Sequence, residues 1–137
     1  MPVTTPYLFF NGNCAEAMKF YEKALGGTIK GMLTYADTPP GEAPPNVPQN
    51  GIMHAYLTFD GGALMASDDM TENYQGMHGV MVAVAYRTAD EATRIYNALS
   101  EGGTILAPIG KTFWSQAFGM FRDRFGTPWM VYQSDEA

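Results

Sequence analysis

Two side chains capable of acid–base chemistry, His54 and Tyr56, stand two residues apart in an apolar run of the chain. Residues 52–59 alternate in the way typical of a β-strand, whose successive side chains point to opposite faces. His54 and Tyr56 therefore share one face. In a partly buried pocket such a histidine can act as a general base, with the phenol as acid or hydrogen-bond donor. A histidine that is simply hydrogen-bonded to a neighbour fits the same pattern, and both interpretations stay open.

Four other side chains have chemistry of their own. Cys14 falls in the first turn of a predicted helix, where the helix dipole lowers a thiol pKa, but no histidine lies near it in sequence. We interpret it as structural. His78 lies in a Gly-rich connector and is predicted to be exposed. Arg122 and Arg124 flank Asp123 at the last predicted hairpin; either offers a fork-shaped partner to a carboxylate or phosphate, or serves as a surface or interface charge.

The helices that help to position these groups follow one sequence pattern, which occurs twice, over residues 13–27 and 88–103. Each copy begins with a residue whose side-chain oxygen can cap a helix, Asn13 or Thr88, followed three residues later by Glu, which is the capping-box arrangement. Each has an apolar stripe and ends at a Gly-Gly pair, where positive φ is permitted. The second copy is one residue longer, and we place the extra residue inside its helix. The repeat predicts two related modules.

Strand-like runs surround both helices, over residues 3–10, 28–36, 52–59 and 63–67, and over residues 80–86, 104–109, 113–122 and 127–133. The run 80–86 is apolar at nearly every position, which suits a strand covered on both faces. The sequence thus predicts an α+β fold, one domain over residues 1–137, with module one at about 1–68 and module two at about 79–137. Two βαβββ modules would pair as curled, mostly antiparallel sheets around a cavity.

The segment 37–51 contains five prolines, which exclude both helix and ladder strand. It is predicted to be an ordered loop or a mobile lid near the cavity mouth or a partner subunit, and a mere connector fits equally well. Its role is left open.

The amino-acid composition excludes some classes of binding partner. Fourteen acidic against eight basic side chains give a net charge of -6, and the scattered basic residues form no stripe for a nucleic acid or an anionic membrane surface. One cysteine excludes an intramolecular disulfide, and no apolar run is long enough to span a bilayer. Without a recognisable secretion signal, we expect a cytoplasmic protein. Ten methionines and eight each of Tyr and Phe would serve either an adaptable apolar site or an ordinary core.

Three stretches, residues 16–27, 54–57 and 121–130, resemble the vicinal oxygen chelate superfamily, which includes glyoxalase I, bleomycin-resistance proteins and extradiol dioxygenases. The resemblance covers nearly the whole chain and is strongest to the PhnB-like branch. Some members of that branch are named 3-demethylubiquinone 3-methyltransferase, but this chain lacks the Gly-rich strand-to-helix loop that a nucleotide-derived methyl donor needs.

The resemblance also implies where a divalent metal would bind in the superfamily's metal-using members. The four ligand positions fall here on Pro6, Tyr56, Val80 and Met130. Proline and valine cannot coordinate a metal, and a thioether or a phenol suits these ions poorly. We therefore predict no metal and no cofactor. The resemblance further implies a homodimer, often with modules paired across subunits.

The leading hypothesis is a metal-independent protein that binds a small molecule, or an enzyme of unassigned substrate, in a dimer-dependent apolar cavity. Whether it is an enzyme stays open. The predicted pocket-lining residues are His54, Tyr56, Leu8, Phe10, Trp114, Met130 and Arg122. One alternative is a metal-dependent lyase or isomerase of the glyoxalase type, with His54 recruited into an altered site. Another is a drug-sequestering protein resembling bleomycin-resistance proteins, whose acidic charge would attract a cationic antibiotic.

Overall fold

The structure is a computed structural model that describes residues 2–42 and 46–137. The chain divides into two compact units, Met1–Gly76 and Met77–Ala137. In the described residues no helix has the length and apolar character needed to cross a membrane.

The first unit is a βαβββ module. Its elements are β1 (Tyr7–Phe10), α1 (Cys14–Leu25), β2 (Thr28–Thr34), a 3-10 turn (Tyr35–Asp37), β3 (Ile52–Phe59) and β4 (Gly62–Asp68). The strands form one sheet in the order β1-β4-β3-β2. Strand β1 runs parallel to β4, and the other neighbours are antiparallel.

The second unit repeats this plan. Its elements are β5 (Val82–Tyr86), α2 (Ala89–Ser100), β6 (Thr104–Gly110), β7 (Phe118–Arg122) and β8 (Pro128–Gln133). The sheet order is β5-β8-β7-β6, again with only the first pair parallel. The predicted α+β fold of two βαβββ modules with mostly antiparallel sheets is confirmed.

In each unit the apolar stripe of the helix packs on one face of its own sheet. In the first, the buried Tyr21 of α1 lies 6.4 Å from Phe10, measured between ring centroids. In the second, Tyr96 of α2 meets Phe121 edge-on at 5.2 Å, and Trp129 is fully buried on the same face. Burying each large side chain contributes about 1.5–3 kcal/mol, so these faces supply most of the stability of the modules.

The Gly-Gly pair after each helix does two different things. The first glycine turns the chain: φ is 67° at Gly26 and 77° at Gly102, a region that residues with a Cβ rarely adopt. The second glycine permits close passage. A Cβ on Gly27 would lie 2.6 Å from the carbonyl oxygen of Thr58, and one on Gly103 would collide with the backbone of β7. Helix termination at both pairs is confirmed.

The final strand of the first module ends at a buried carboxylate, Asp68. Its Oδ1 accepts hydrogen bonds from the backbone N–H groups of Gly12 and Cys14 at 2.9 and 3.0 Å, and its Oδ2 accepts one from Ile52 at 2.8 Å. This one side chain therefore joins the turn before α1 to the start of β3.

The final strand of the second module ends at a buried amide, Gln133. Its Oε1 accepts from the N–H of Gln116 at 3.0 Å, just before β7, and its Nε2 donates to the carbonyl of Arg87 at 3.2 Å, just before α2. Gln133 thus ties the same two places together as Asp68 does in module one.

The predicted helix caps are half right. Thr88 Oγ1 accepts from the N–H of Glu91 at 3.1 Å, as expected. Asn13 makes no side-chain cap hydrogen bond. The carboxylate of Asp68 instead accepts from the first N–H group of α1, that of Cys14, and from that of Gly12 before it. The placement of the extra residue was also wrong: both helices have 12 residues, and Glu101 is added after α2.

Three predicted strands differ from the observed ones. Strand β1 begins only at Tyr7 and β7 only at Phe118. Residues 111–117 form a loop because Thr112 Oγ1 accepts from the N–H of Ser115 at 3.0 Å, which turns the chain. Strand β5 is not covered on both faces, since it lies at the edge of its sheet and only Val84 in it is buried.

The Pro-rich segment is fixed at its base in the described residues. Tyr35 N–H donates to Gly51 at 2.9 Å and Ala36 N–H to Gln49 at 3.0 Å, while the Tyr35 hydroxyl donates to the carbonyl of Asp68 at 2.8 Å. Residues 43–45 lie outside the described residues. The position of the segment at a cavity mouth or partner subunit stays a prediction.

Candidate functional site

Strand β1 separates its side chains onto two faces. Leu8 and Phe10 are buried on the face that α1 covers, whereas Tyr7 and Phe9 are 38% and 50% exposed on the opposite face. We call the face of each sheet opposite its helix the helix-free face. The candidates Leu8 and Phe10 thus support the sheet from behind. The sequence alone did not indicate Tyr7 and Phe9. All four residues of the strand are apolar or aromatic, so their pattern does not reveal which alternate side chains face the helix.

The polar feature of the first helix-free face is a pair formed by Tyr7 and His54. The Tyr7 hydroxyl lies 3.0 Å from His54 Nδ1, and the two rings are 5.7 Å apart. Tyr7 and Tyr56 both pair with Met65 of β4, so the three form one row across the sheet. His54 and Tyr56 share this face, as their spacing predicts.

The tautomer of His54 decides what the pair can do. If Tyr7 donates to Nδ1, the imidazole is neutral and presents an Nε2–H donor; if Nδ1–H donates to the phenol, Nε2 is a free base. Either form can recognise a polar group on a small molecule, and the second can accept a proton from it.

Cys14 is not a nucleophile in this structure. Burial raises the pKa of the Cys14 thiol to about 12, and the nearby charge of Asp68 contributes to the rise. Desolvation therefore outweighs the lowering expected from the helix dipole, and the thiolate population at neutral pH is negligible. The structural interpretation of this residue agrees with its complete burial.

The second helix-free face is apolar. Met120 and Met130 are paired across β7 and β8, and Phe118 is paired with Tyr132. Trp114, from the loop before β7, packs edge-on against Phe118 and Tyr132, with ring centroids 5.0 and 6.0 Å away. The structure thus brings the candidates Trp114 and Met130 onto one sheet surface.

Arg122, also a candidate, has its guanidinium engaged by backbone. Its Nη1 donates to the carbonyls of Met77 at 3.0 Å and Gly126 at 2.7 Å. Next to it, Asp123 Oδ2 accepts from Trp129 Nε1 at 2.8 Å. These contacts hold the β7–β8 hairpin, so the geometry gives Arg122 a positioning part rather than a free fork for an anion.

A separate polar pocket of about 260 Å³ lies within the second unit, lined by residues 111–116, Gln133 and Asp135. Of the residues singled out from the sequence, only Trp114 reaches it. Sequence reasoning missed the pocket because it placed residues 113–117 in a strand.

The residues present do not fit the superfamily's divalent metal. The four implied positions hold Pro6, Tyr56, Val80 and Met130, of which Val80 is 69% exposed and Pro6 uses its carbonyl to accept from Met65 N–H. Within residues 2–42 and 46–137, no three His, Cys, Asp or Glu side chains come together as a ligand group. The four positions therefore offer no suitable donor set for a divalent ion.

The duplicated βαβββ plan is that of a known class. A family model of the Glyoxalase/Bleomycin resistance protein/Dioxygenase superfamily matches residues 5–131. The chain belongs to this superfamily.

Particular relatives place it among PhnB-like proteins. It is 30% identical to protein YjdN from Escherichia coli (strain K12), over 96% of this chain and 94% of YjdN. Protein PA1353 from Pseudomonas aeruginosa is 43% identical, with a TM-score of 0.88 and coverage of 98% of both chains. A PhnB protein from Bacillus cereus is 26% identical with a TM-score of 0.79, covering 97% of this chain and 100% of that one. The resemblance noted from the motifs is confirmed.

Proposed function

We propose that this protein is a metal-independent, cytoplasmic small-molecule binding protein that acts as a homodimer and binds small molecules on the helix-free face of each sheet. The observation that carries the proposal is the Tyr7–His54 pair, a polar contact of 3.0 Å set among aromatic side chains that stay more than a third exposed. A few placed polar groups on an apolar surface are typical of small-molecule sites.

The candidate residues take different parts in this proposal. On the first helix-free face His54 and Tyr56 offer polar contacts to a ligand, and on the second Trp114 and Met130 offer apolar contacts. Leu8 and Phe10 hold the sheet from behind, and Arg122 holds the hairpin. Flexible methionine beside rigid aromatic rings suits a flat or greasy molecule.

Metal independence is supported by the chemistry of the four implied positions. Metal analysis of protein purified without added ions, followed by melting in a panel of divalent cations, should give no stoichiometric metal and no stabilisation. Stoichiometric metal together with a raised melting temperature would favour the glyoxalase-type alternative.

The dimer is supported by the large apolar side chains that remain exposed on the first helix-free face, where Phe9 is 50% and Leu33 47% exposed. Sedimentation equilibrium should give twice the monomer mass of 15.0 kDa. Phe9→Lys should shift the equilibrium towards monomer, while Val3→Lys, at an 86% exposed position outside the sheets, should not.

The binding site is tested by screening small aromatic and aliphatic compounds for thermal stabilisation and comparing variants on each hit. Tyr7→Phe should weaken binding about three- to tenfold through the lost hydrogen bond, and His54→Ala at least as much. Tyr74→Phe is the matched control, since it removes a phenol from the connector instead. Equal affinities in all three variants would place the ligand elsewhere.

A further inference from the structure

The polar pocket of the second unit has a rigid floor. Thr112 Oγ1 accepts from the N–H groups of Trp114 at 3.3 Å and Ser115 at 3.0 Å. Ser115 Oγ lies 2.7 Å from the carbonyl oxygen of Gln133, and Gln133 Oε1 accepts from Gln116 N–H at 3.0 Å. These polar groups are satisfied within the protein, so they shape the pocket without being available to a ligand.

The rim offers groups of opposite charge. In the part of the chain that the structure describes, Lys111 has no hydrogen-bond or ion-pair partner, and Asp135 uses one oxygen, Oδ1, to accept from Gln133 Nε2 at 2.9 Å. A cation and a carboxylate oxygen are therefore both available at one opening. A ligand of single charge would meet a like charge at one side.

The rim also carries aromatic surface. Phe113 is fully exposed and Trp114 is 51% exposed, and both line the pocket. The pocket volume of about 260 Å³ is below the range of roughly 300–1,000 Å³ that holds drug-sized ligands. Its occupant is thus a small molecule with an apolar part as well as two opposite charges.

We propose that this pocket binds a free α-amino acid with an apolar side chain, with its carboxylate on Lys111, its ammonium on Asp135 and its side chain against Phe113 and Trp114. The site shares Trp114 with the second helix-free face, but its charged residues lie outside the sheets, and it does not depend on the function proposed for those faces. Because its charges are exposed, binding is weak, roughly millimolar, and falls as salt is added.

The test compares L-leucine with two analogues that each lack one charge, 3-methylbutylamine and 4-methylpentanoate. Trp114 reports occupancy through its fluorescence, since Trp129 is fully buried, and calorimetry gives an independent affinity. Leucine should bind about two- to fivefold more tightly than either analogue, which is the value of one exposed ion pair. Trp114→Phe should remove the fluorescence change.

Two charge variants assign the ends. Lys111→Gln should weaken leucine about two- to fivefold and leave the amine unchanged. Asp135→Asn, which keeps an oxygen for Gln133, should weaken leucine and the amine but not 4-methylpentanoate. Absence of saturable leucine binding, equal binding of the three compounds, or unchanged affinities in both variants would overturn the proposal. Ligands of the helix-free faces should bind both variants normally, so the two proposals fail separately.

Discussion

The two modules solve one structural problem with different side chains. Each must tie the end of its last strand to the start of its helix and of its third strand, and the residue in that position is Asp68 in the first and Gln133 in the second. The residue after each of them shows that Asp68 and Gln133 occupy equivalent positions. Asp69 N–H donates to the carbonyl of Phe10 at the end of β1, and Ser134 N–H donates to the carbonyl of Tyr86 at the end of β5.

The difference decides how each helix is capped. A carboxylate only accepts, so Asp68 holds the N–H groups of Gly12 and Cys14 where α1 begins, and Asn13 makes no cap hydrogen bond there. The amide of Gln133 donates towards α2 instead, and α2 relies on its own Thr88. Duplicated modules can therefore diverge in side-chain chemistry while the backbone plan is kept.

The helix-free faces diverge in the same way. The row Tyr7–Met65–Tyr56 of the first sheet corresponds to Ala83–Met130–Met120 in the second. The first row carries two phenols, whereas the second carries none. At these equivalent positions the two modules therefore differ in polarity.

The largest effect should come from Asp68→Ala. Three backbone N–H groups lose a charged acceptor, two of them at buried positions, so the free energy of unfolding should fall by about 4 kcal/mol. Urea denaturation measures it. Asp68→Asn, which keeps one acceptor oxygen, should lie between; a loss below about 1 kcal/mol for the alanine variant would contradict the central place given to this carboxylate.

Gln133→Ala should cost less, about 2 kcal/mol, because its bonds to Gln116 and Arg87 join neutral groups and its bond to a carboxylate involves only the exposed Asp135. The same urea titration provides the value. If Gln133→Ala proved as damaging as Asp68→Ala, the inferred difference in strength between the hydrogen bonds of Gln133 and those of Asp68 would be wrong.

An effect of alkaline pH on stability should come from Cys14 in the first module. Above the ordinary thiol pKa of 9.0 the unfolded chain loses its proton, while native Cys14 keeps it up to a pKa of about 12. The contribution of Cys14 to the free energy of unfolding is therefore complete below pH 9.0. Between pH 9.0 and about 12 it falls by about 1.4 kcal/mol per pH unit.

The control for this effect is Cys14→Ala, whose stability should fall less steeply with pH over the same range. The corresponding residue of α2 is already Ala89. Equal slopes in the two proteins would show that other groups account for the dependence.

The smallest effects separate the two helix caps. Thr88→Ala should destabilise the protein by about 1 kcal/mol, the usual value of an N-cap side chain. Asn13→Ala should change stability by no more than about 0.5 kcal/mol, as a side chain without a capping bond. Thermal or urea unfolding of the two variants side by side measures both effects. Equal losses in the free energy of unfolding would support the capping box predicted for α1.

Local patterns predicted much of this fold. The strand at Ile52–Phe59 and both Gly-Gly helix ends follow from alternation and from the demand for positive φ, which adjacent residues determine. Strand β7 was predicted five residues too long because Phe113 and Trp114 have strand-like side chains. Only the turn around Thr112 removes them from the sheet.

The site was harder to predict because it depends on partners distant in sequence. His54 and Tyr56 could be placed on one face from their spacing, but the contact to Tyr7 passes over strand β4 to β1, and Tyr7 is 47 residues away in sequence. The capping of α1 by Asp68 has the same origin. No local window contains such information, whereas the duplicated motifs carry the family over the whole chain.

In both modules the opening strand pairs with the closing one, Tyr7 with Met65 and Val82 with Trp129. A nascent chain emerging from the ribosome consequently cannot complete either sheet until the last strand of that module has been synthesised. Until then the strand that will neighbour the last one keeps an unpaired edge, which is the kind of edge that favours aggregation.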